Sequence, residues 1–168
     1  SLQDVTEPHL YRVLYNYSEV PKIPFNHRHV PMRPPDQIFI TDTTFRDGQQ
    51  AREPYTVEQI VQLYKFMHEL GGPNGIIRQC EFFLYSHRDR AAVDACRALG
   101  YDFPEITGWI RAKKEDFQLV KDMGIAETGI LASCSDYHIF KKLHMTRRQA
   151  LDQFLGVVKD ALAVGVKP

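Results

Sequence analysis

Residues 40–50 read ITDTTFRDGQQ, an apolar, strand-like start that stops at a cluster of charged and amide side chains. In α/β proteins with parallel strands, catalytic groups gather where the strands give way to loops at their C-terminal ends. This strand end therefore predicts the edge of a functional site. Asp47 offers a carboxylate for a divalent cation, Arg46 a positive charge for a substrate oxygen, and Gln50 an amide that orients substrate. The alternative is a polar turn before a helix, with one surface ion pair.

From residue 37 onward, short β-rich runs alternate with amphipathic helical runs. Apolar residues at helical spacing, a capping box formed by Thr56 and Gln59, and a glycine stop mark the first helix. Thr146 and Gln149 form a similar box before the last helix. The sequence predicts strands over residues 37–43, 76–83, 104–110 and 127–132, helices over residues 57–70, 88–99, 114–123 and 147–164, and a loop with a helical turn over residues 135–143.

Four successive strand-then-helix units imply parallel strands joined by right-handed crossovers. A complete barrel of eight such units needs about 250 residues. Residues 37–168 therefore predict an α/β domain of parallel (β/α) units, the first half of a TIM barrel, and Gly165–Pro168 predicts the approach to a fifth strand. An open, flavodoxin-like sheet is the alternative. The proline-rich residues 1–36 predict an extended N-terminal arm, with a short helical turn near residues 10–14.

Composition bounds the function classes. Lys and Arg number 21, as do Asp and Glu, so no charge excess favours nucleic acid or an anionic membrane as a partner. We find no apolar run long enough to span a membrane and no secretory leader, which predicts a cytoplasmic protein. Cys80, Cys96 and Cys134 are odd in number and form no CxxC pair, so we expect reduced thiols buried in small core gaps.

The segment TDTTFRDGQQ, residues 41–50, resembles the first-strand signature of the DRE-TIM metallolyases. That family includes isopropylmalate, homocitrate, citramalate and Re-type citrate synthases and hydroxymethylglutaryl-CoA lyase. Its signature Asp, Arg and Glu match Asp47, Arg46 and Glu81, the last within QCEFF. EITGWIRA and ETGILASCSDYHIFKKL resemble the family's third and fourth strands, so the likeness extends over residues 37–168.

This resemblance implies a TIM barrel with one divalent metal, Mg2+, Mn2+ or Zn2+, and a reaction that forms or breaks a carbon–carbon bond through an enolate. In the synthases of the family, acetyl-CoA condenses with a 2-oxo acid. A hard cation prefers oxygen ligands such as Asp47, and a developing alkoxide requires a fixed cation such as Arg46. The resemblance implies Asp47 as the metal ligand, Arg46 and Glu81 as catalytic residues, and Gln50, Arg111, Ser133, Ser135 and His138 as substrate-binding residues.

Several of these residues also have simpler structural interpretations. Arg111 can form a surface ion pair, and Ser135 with Asp136 can cap the following turn. We interpret Trp109 as a packing residue. The run from His87 to Arg90 is most simply a solvated helix start.

The sequence also departs from the family pattern. No strand carries the family's late His-x-His pair of metal ligands, and His27 and His29, which have that spacing, lie in the proline-rich arm. The loop after Gln50 is about one residue shorter than in the common synthases, and Ile60 replaces their usual lysine. These differences leave the substrate open.

Three hypotheses follow. The first is the N-terminal part of a metal-dependent acyltransferase that condenses acetyl-CoA with a 2-oxo acid, this segment alone being inactive. The second is a hydroxyacyl-CoA lyase or biotin-dependent carboxyltransferase with the same barrel. The third is a non-catalytic, fragmentary half-barrel. Because open strand edges invite pairing with another chain, we also expect a homo-oligomer.

Overall fold

The computed structural model describes Asp4, the backbone of residues 24–25 and 28–29, and residues 35–168. The predicted helical turn near residues 10–14, the whole of His27 and the side chain of His29 lie outside these residues. Two short strands pair antiparallel: β1 (Pro24–Phe25) and β2 (Arg28–His29). The main sheet contains β3 (Ile40–Asp42), β4 (Ile77–Phe82), β5 (Glu105–Arg111) and β6 (Thr128–Leu131), and the helices are α1 (Val57–Gly71), α2 (His87–Arg97), α3 (Lys114–Asp122) and α4 (Arg147–Ala163).

The main sheet is a half-barrel of four parallel strands in the order β3-β4-β5-β6, each followed by a helix. Neighbours in the sheet are therefore neighbours along the chain, as in a TIM barrel. A flavodoxin-like sheet would place the first strand between the second and third. Lys167 forms a parallel bridge with Glu127, and its backbone N–H donates to the Ala126 carbonyl at 2.8 Å. The last residues thus pair beside β6, as expected for the approach to a fifth strand.

Two compact units make up the chain: residues 1–36 with 132–156, and residues 37–131 with 157–168. The four-stranded sheet lies in the second unit. The first unit holds a π-helical turn, His138–Lys142, within the segment predicted as a loop with a helical turn. Among the helices that the structure describes, none is both long and apolar enough to cross a bilayer.

One face of the sheet and the helices covering it form the hydrophobic core of the second unit. Alternate residues of a strand share a face, and Cys80, Phe82 and Ile110 are accordingly buried against helix residues such as Tyr64. Burial raises the pKa of the Cys80 thiol and brings that of Cys96 to about 12. Both cysteines are therefore buried thiols, as predicted, whereas Cys134 is exposed and the prediction that it fills a core gap is wrong.

Local signals in the sequence set most element boundaries. The Thr56–Gln59 capping box is present, with the Gln59 N–H donating to Thr56 Oγ1 at 3.2 Å and the Thr56 N–H donating to Gln59 Oε1 at 3.0 Å. A second box, Ser86 with Asp89, opens α2 and was not predicted. The largest discrepancy is β3, which begins at Ile40 rather than at residue 37. Its register with β4 shifts between Ile40 and Thr41, so regular pairing begins late.

The Thr56 cap provides a test of how the first helix begins. Replacing Thr56 with alanine leaves the Gln59 N–H without its acceptor and should lower the free energy of unfolding by about 0.5–2 kcal/mol. A Thr56→Ser variant keeps the hydroxyl and should retain most of the stability. Urea denaturation of the purified protein measures both. Equal destabilisation by the two substitutions would show that the cap is not the cause.

Candidate active site

The face of the sheet opposite the core carries the polar residues of the candidate site. The register pairs Glu81 with Thr107 and Trp109 with Gly129, so these residues share one face of three neighbouring strands. Arg46 and Asp47 follow β3 and reach the same place. In a barrel this face lines the interior. Arg46, Asp47 and Glu81 lie at or just beyond the carboxyl ends of β3 and β4, where barrel enzymes place their catalytic groups.

Arg46 links the other two residues of the predicted Asp-Arg-Glu set. Its Nε donates to Glu81 Oε2 at 2.9 Å, and its Nη1 donates to Asp47 Oδ1 at 2.9 Å. Its Nη2 lies 2.8 Å from Asp47 Oδ2. The side chains of Arg46 and Glu81 are each 14% exposed, against 49% for Asp47. The structure therefore brings the three together as a charged cluster in which Asp47 is the member most open to solvent.

The loop that carries Arg46 is held by its own polar side chains. Asp42 Oδ1 accepts from the Thr44 N–H at 2.8 Å, which forms the turn at the end of β3. The buried side chain of Gln49 donates to the Phe45 carbonyl at 2.7 Å and accepts from the Tyr55 N–H at 2.9 Å. Gln49 thus ties both ends of the loop. The sequence did not indicate this role, because nothing in it distinguishes Gln49 from the adjacent Gln50.

Gln50, the predicted substrate-orienting residue, lies at the end of this loop. It is exposed, and its backbone N–H donates to the Asp47 carbonyl at 3.1 Å, which closes the short 3-10 helix Asp47–Gln49. An exposed side chain is compatible with substrate contact, and the assignment of Gln50 stays a prediction.

Trp109 contacts the Arg46 side chain. Its ring lies under Arg46, with the guanidinium carbon 3.8 Å from the ring centroid. Trp109 is therefore a packing residue, as interpreted from the sequence, and one of the groups that it packs against is the Arg46 guanidinium. The strand register explains why, because Trp109 shares a face with Glu81 and not with the buried Ile110.

Arg111, at the carboxyl end of β5, belongs to a second polar cluster. Its Nε and Nη2 donate to the two oxygens of Asp116, at 2.9 and 3.1 Å. The Tyr85 hydroxyl donates to Asp116 Oδ2 at 2.9 Å and accepts from the Arg111 N–H at 3.0 Å. The Arg111 side chain is 61% exposed. The ion pair expected from the simpler interpretation of Arg111 is therefore present, and the substrate-binding role of Arg111 stays a prediction.

The ion pair makes Asp116 a pH-dependent contributor to stability. Hydrogen bonds from Arg111 hold the pKa of Asp116 below its usual value. A depressed folded-state pKa means that the ionised carboxylate stabilises the fold above the unfolded pKa of about 3.9, and that this contribution is lost as the pH falls through the folded pKa.

The Asp116→Asn variant tests this effect. We expect it to be less stable than wild type at neutral pH, with a difference that shrinks below about pH 4. Urea denaturation across that range measures it, and Asp152→Asn, on the exposed surface of α4, is the control that should follow wild type. A difference independent of pH would show that the ionised carboxylate is not responsible.

Ser133, Ser135 and His138 lie in the other compact unit, residues 1–36 with 132–156. Ser135 Oγ lies 2.7 Å from His138 Nδ1 and also accepts from the His138 N–H at 3.3 Å. The serine thus caps the turn and fixes the imidazole ring. Next to it, Asp136 accepts from Arg147 at 2.9 and 2.8 Å. The predicted roles of these residues in substrate binding stay predictions.

The cluster contains two carboxylates that could serve as oxygen ligands for the metal expected from the sequence, those of Asp47 and Glu81. Asp47 offers a carboxylate, but both of its oxygens lie beside the Arg46 guanidinium. Over residues 35–168, no three His, Cys, Asp or Glu side chains converge as a cation site. Magnesium and calcium require several oxygen ligands. The described residues therefore do not form a metal site by themselves, and Asp47 is the residue that would contribute one ligand to such a site.

Comparison with known proteins gives one family match and several curated relatives that are named as synthases. The sequence profile of the HMGL-like family matches residues 37–167. Citrate (Re)-synthase of Syntrophus aciditrophicus is 62% identical over 99% of this chain and 27% of its own length. Citrate (Re)-synthase of Clostridium kluyveri is 56% identical over 99% of this chain and 37% of its own length.

More distant relatives are also synthases. The 2-phosphinomethylmalate synthase of Streptomyces hygroscopicus is 34% identical over 100% of this chain and 39% of its own length. Others are named 2-isopropylmalate synthase and homocitrate synthase. The chain thus spans between about a quarter and two fifths of the length of the two citrate (Re)-synthases and the 2-phosphinomethylmalate synthase.

Proposed function

The chain belongs to the HMGL-like family, and from that premise we propose that it is the N-terminal part of an enzyme that condenses acetyl-CoA with a 2-oxo acid. The oxo acid that we propose is oxaloacetate, so that the product is citrate. Support comes from two relatives named citrate (Re)-synthase, which are 62% and 56% identical over nearly the whole chain. The relatives described above that are named for other products are 30% to 34% identical.

The bonds formed and broken in the proposed reaction balance without an oxidant or a reductant. A proton leaves the methyl group of acetyl-CoA, and the resulting enolate carbon attacks the ketone carbon of oxaloacetate. One carbon–carbon bond forms, the carbonyl electron pair moves onto oxygen, and a proton completes the hydroxyl group. Water then cleaves the thioester and releases CoA. The step that needs most help is the build-up of negative charge on oxygen, which fixed positive groups stabilise.

The Arg46–Glu81–Asp47 cluster is the observation that carries the proposal. Glu81 and Asp47 hold the guanidinium of Arg46, whose side chain is 14% exposed, at the ends of neighbouring strands. An arginine has five N–H groups, and those left on Nη1 and Nη2 point to no acceptor among the described hydrogen bonds. Arg46 can therefore bind the oxo-acid oxygen while its carboxylate partners keep it in place.

Asp47 has a separate proposed role. It is the carboxylate of this cluster that is open to solvent, and we assign it as one ligand of a divalent cation. Such a cation supplies Lewis-acid polarisation of the oxo-acid carbonyl when it is bound. The remaining ligands must come from other residues of the whole protein.

Release of CoA from acetyl-CoA tests the proposal. The full-length protein is purified and mixed with acetyl-CoA and, in turn, oxaloacetate, 2-oxoisovalerate and 2-oxoglutarate, with Mg2+, Mn2+ or Zn2+ present. A thiol reagent then measures free CoA. We expect fastest release with oxaloacetate. If no oxo acid raises CoA release above the rate with acetyl-CoA alone, the synthase proposal fails and the lyase, carboxyltransferase or non-catalytic hypothesis replaces it.

A further inference from the structure

The hydrogen bonds of Arg46 do not fix its guanidinium group in every direction. Trp109, which takes no part in the reaction itself, restrains the movement that they leave. The hydrogen bonds to Glu81 and Asp47 lie at the edges of the guanidinium group. Edge contacts resist rotation within the plane, but they resist displacement perpendicular to the plane less well. The ring of Trp109 occupies that perpendicular direction, 3.8 Å from the guanidinium carbon. A cation over an indole face is attracted by the ring quadrupole, and the attraction grows when the cation is shielded from water.

The neighbouring strand provides the space for this ring. Gly129 lies opposite Trp109 in the register of β5 and β6. A Cβ atom at Gly129 would overlap the ring at Cε3 and lie 2.8 Å from Cζ3 and 3.4 Å from Glu81 Oε1. Any other residue at this position would push the indole away from its present place. The glycine has no positive φ to explain it, so the close approach of the ring is the reason for its small size.

We propose that Trp109 and Gly129 are positioning residues for the condensation. The Trp109 ring supports the Arg46 guanidinium from below, at the position in which it contacts the oxo-acid oxygen. This inference rests on the proposed function. It concerns a contact on the face of the guanidinium that neither the Asp-Arg-Glu signature nor the chemistry of the condensation requires. Its consequence is that the turnover number depends on the electron density of the ring and not merely on its volume.

Substitution of Trp109 in the full-length protein separates these two properties. Trp109→Phe keeps a smaller aromatic face, and Trp109→Leu keeps an apolar group without one. We expect Trp109→Leu to lower kcat by about 3- to 30-fold, the range that corresponds to cation–π energies, with Trp109→Phe in between. The KM for acetyl-CoA should change less than kcat. Equal kcat values for the two variants, after correction for any loss of folded protein, would overturn the inference.

Fluorinated tryptophans provide a test in which the size of the ring barely changes. Incorporation of mono-, di- and trifluorotryptophan at position 109 withdraws electron density from the ring in steps. The inference predicts that kcat falls with each added fluorine while the unfolding transition stays in place. A kcat that is constant along the series would show that Trp109 only fills space.

Gly129 is tested against a matched glycine. Gly129→Ala should lower kcat because the added methyl group displaces the ring, whereas Gly156→Ala, where the added atom meets open space, should leave activity unchanged. In the Trp109→Leu background, Gly129→Ala should cause little further loss, since both changes remove the same contact. Fully additive losses would contradict the shared role. An inactive wild-type protein would refute the proposed function itself, whereas an active wild type with unaffected variants refutes only this inference.

Discussion

Replacing Arg46 with alanine should lower kcat/KM for condensation by a factor of about 100 to 1,000, the typical loss when one fixed group that stabilises a developing oxyanion is removed. The cause is the loss of a positive charge that is 14% exposed and held by two carboxylates. Arg46→Lys keeps the charge but cannot contact Glu81 and Asp47 with a planar fork, so it should recover only part of the rate. Steady-state CoA release by the full-length variants measures both.

Controls separate catalysis from folding in this experiment. Arg97→Ala removes an arginine whose side chain is 44% exposed and pairs with Asp94 on α2, and its kcat/KM should match wild type. Removing Arg46 leaves Glu81 without its cation, which itself costs stability. An Arg46→Ala/Glu81→Gln double variant relieves that cost and should regain stability without regaining activity. Near-normal kcat/KM in well-folded Arg46→Ala protein would rule out the proposed role.

Truncating Phe82 to alanine should have the largest effect on stability, with a loss of about 3–5 kcal/mol in the free energy of unfolding. Phe82 is 1% exposed, and its ring centroid lies 4.9 Å from that of Phe45 and 6.4 Å from that of Tyr64. Phe45 is in the loop that carries Arg46 and Tyr64 is in α1, so the cavity would lie where sheet, loop and helix meet.

The matched control for that substitution is Phe66→Ala. Phe66 lies in α1 and is 53% exposed. Truncation of an exposed side chain usually changes the free energy of unfolding by about 0.5 kcal/mol or less. Urea denaturation of both variants gives the comparison. Similar losses for the two phenylalanines would contradict the assignment of Phe82 to the core.

The sequence predicted the order and type of the elements because its signals for them are local. Capping residues and glycine stops lie next to the helix ends that they specify, so each of the four helices begins or ends within a few residues of its predicted bounds. The start of β3 was predicted less well. Residues 37–39 are as apolar as the strand itself, but strand pairing depends on a partner that is distant along the chain.

The candidate site was likewise predicted where the signal lies in a short stretch of sequence, and missed where the contact depends on the fold. The resemblance of TDTTFRDGQQ and QCEFF to a family signature predicted the cluster of Arg46, Asp47 and Glu81. It did not reveal Trp109 on Arg46 or Asp116 on Arg111, because these contacts depend on the register between strands and on a helix turn. A homo-oligomer and a cytoplasmic location stay predictions.

The proposed condensation is tested most directly by tracing labelled acetyl carbon into the product. The full-length protein is incubated with acetyl-CoA labelled with carbon-13 in both acetyl carbons, together with unlabelled oxaloacetate, and the product is identified by mass and by NMR. We expect citrate heavier by the two labelled carbons, with the two labels bonded to each other in one carboxymethyl arm. Citrate without the two labelled carbons, or no citrate at all, would contradict the proposed reaction.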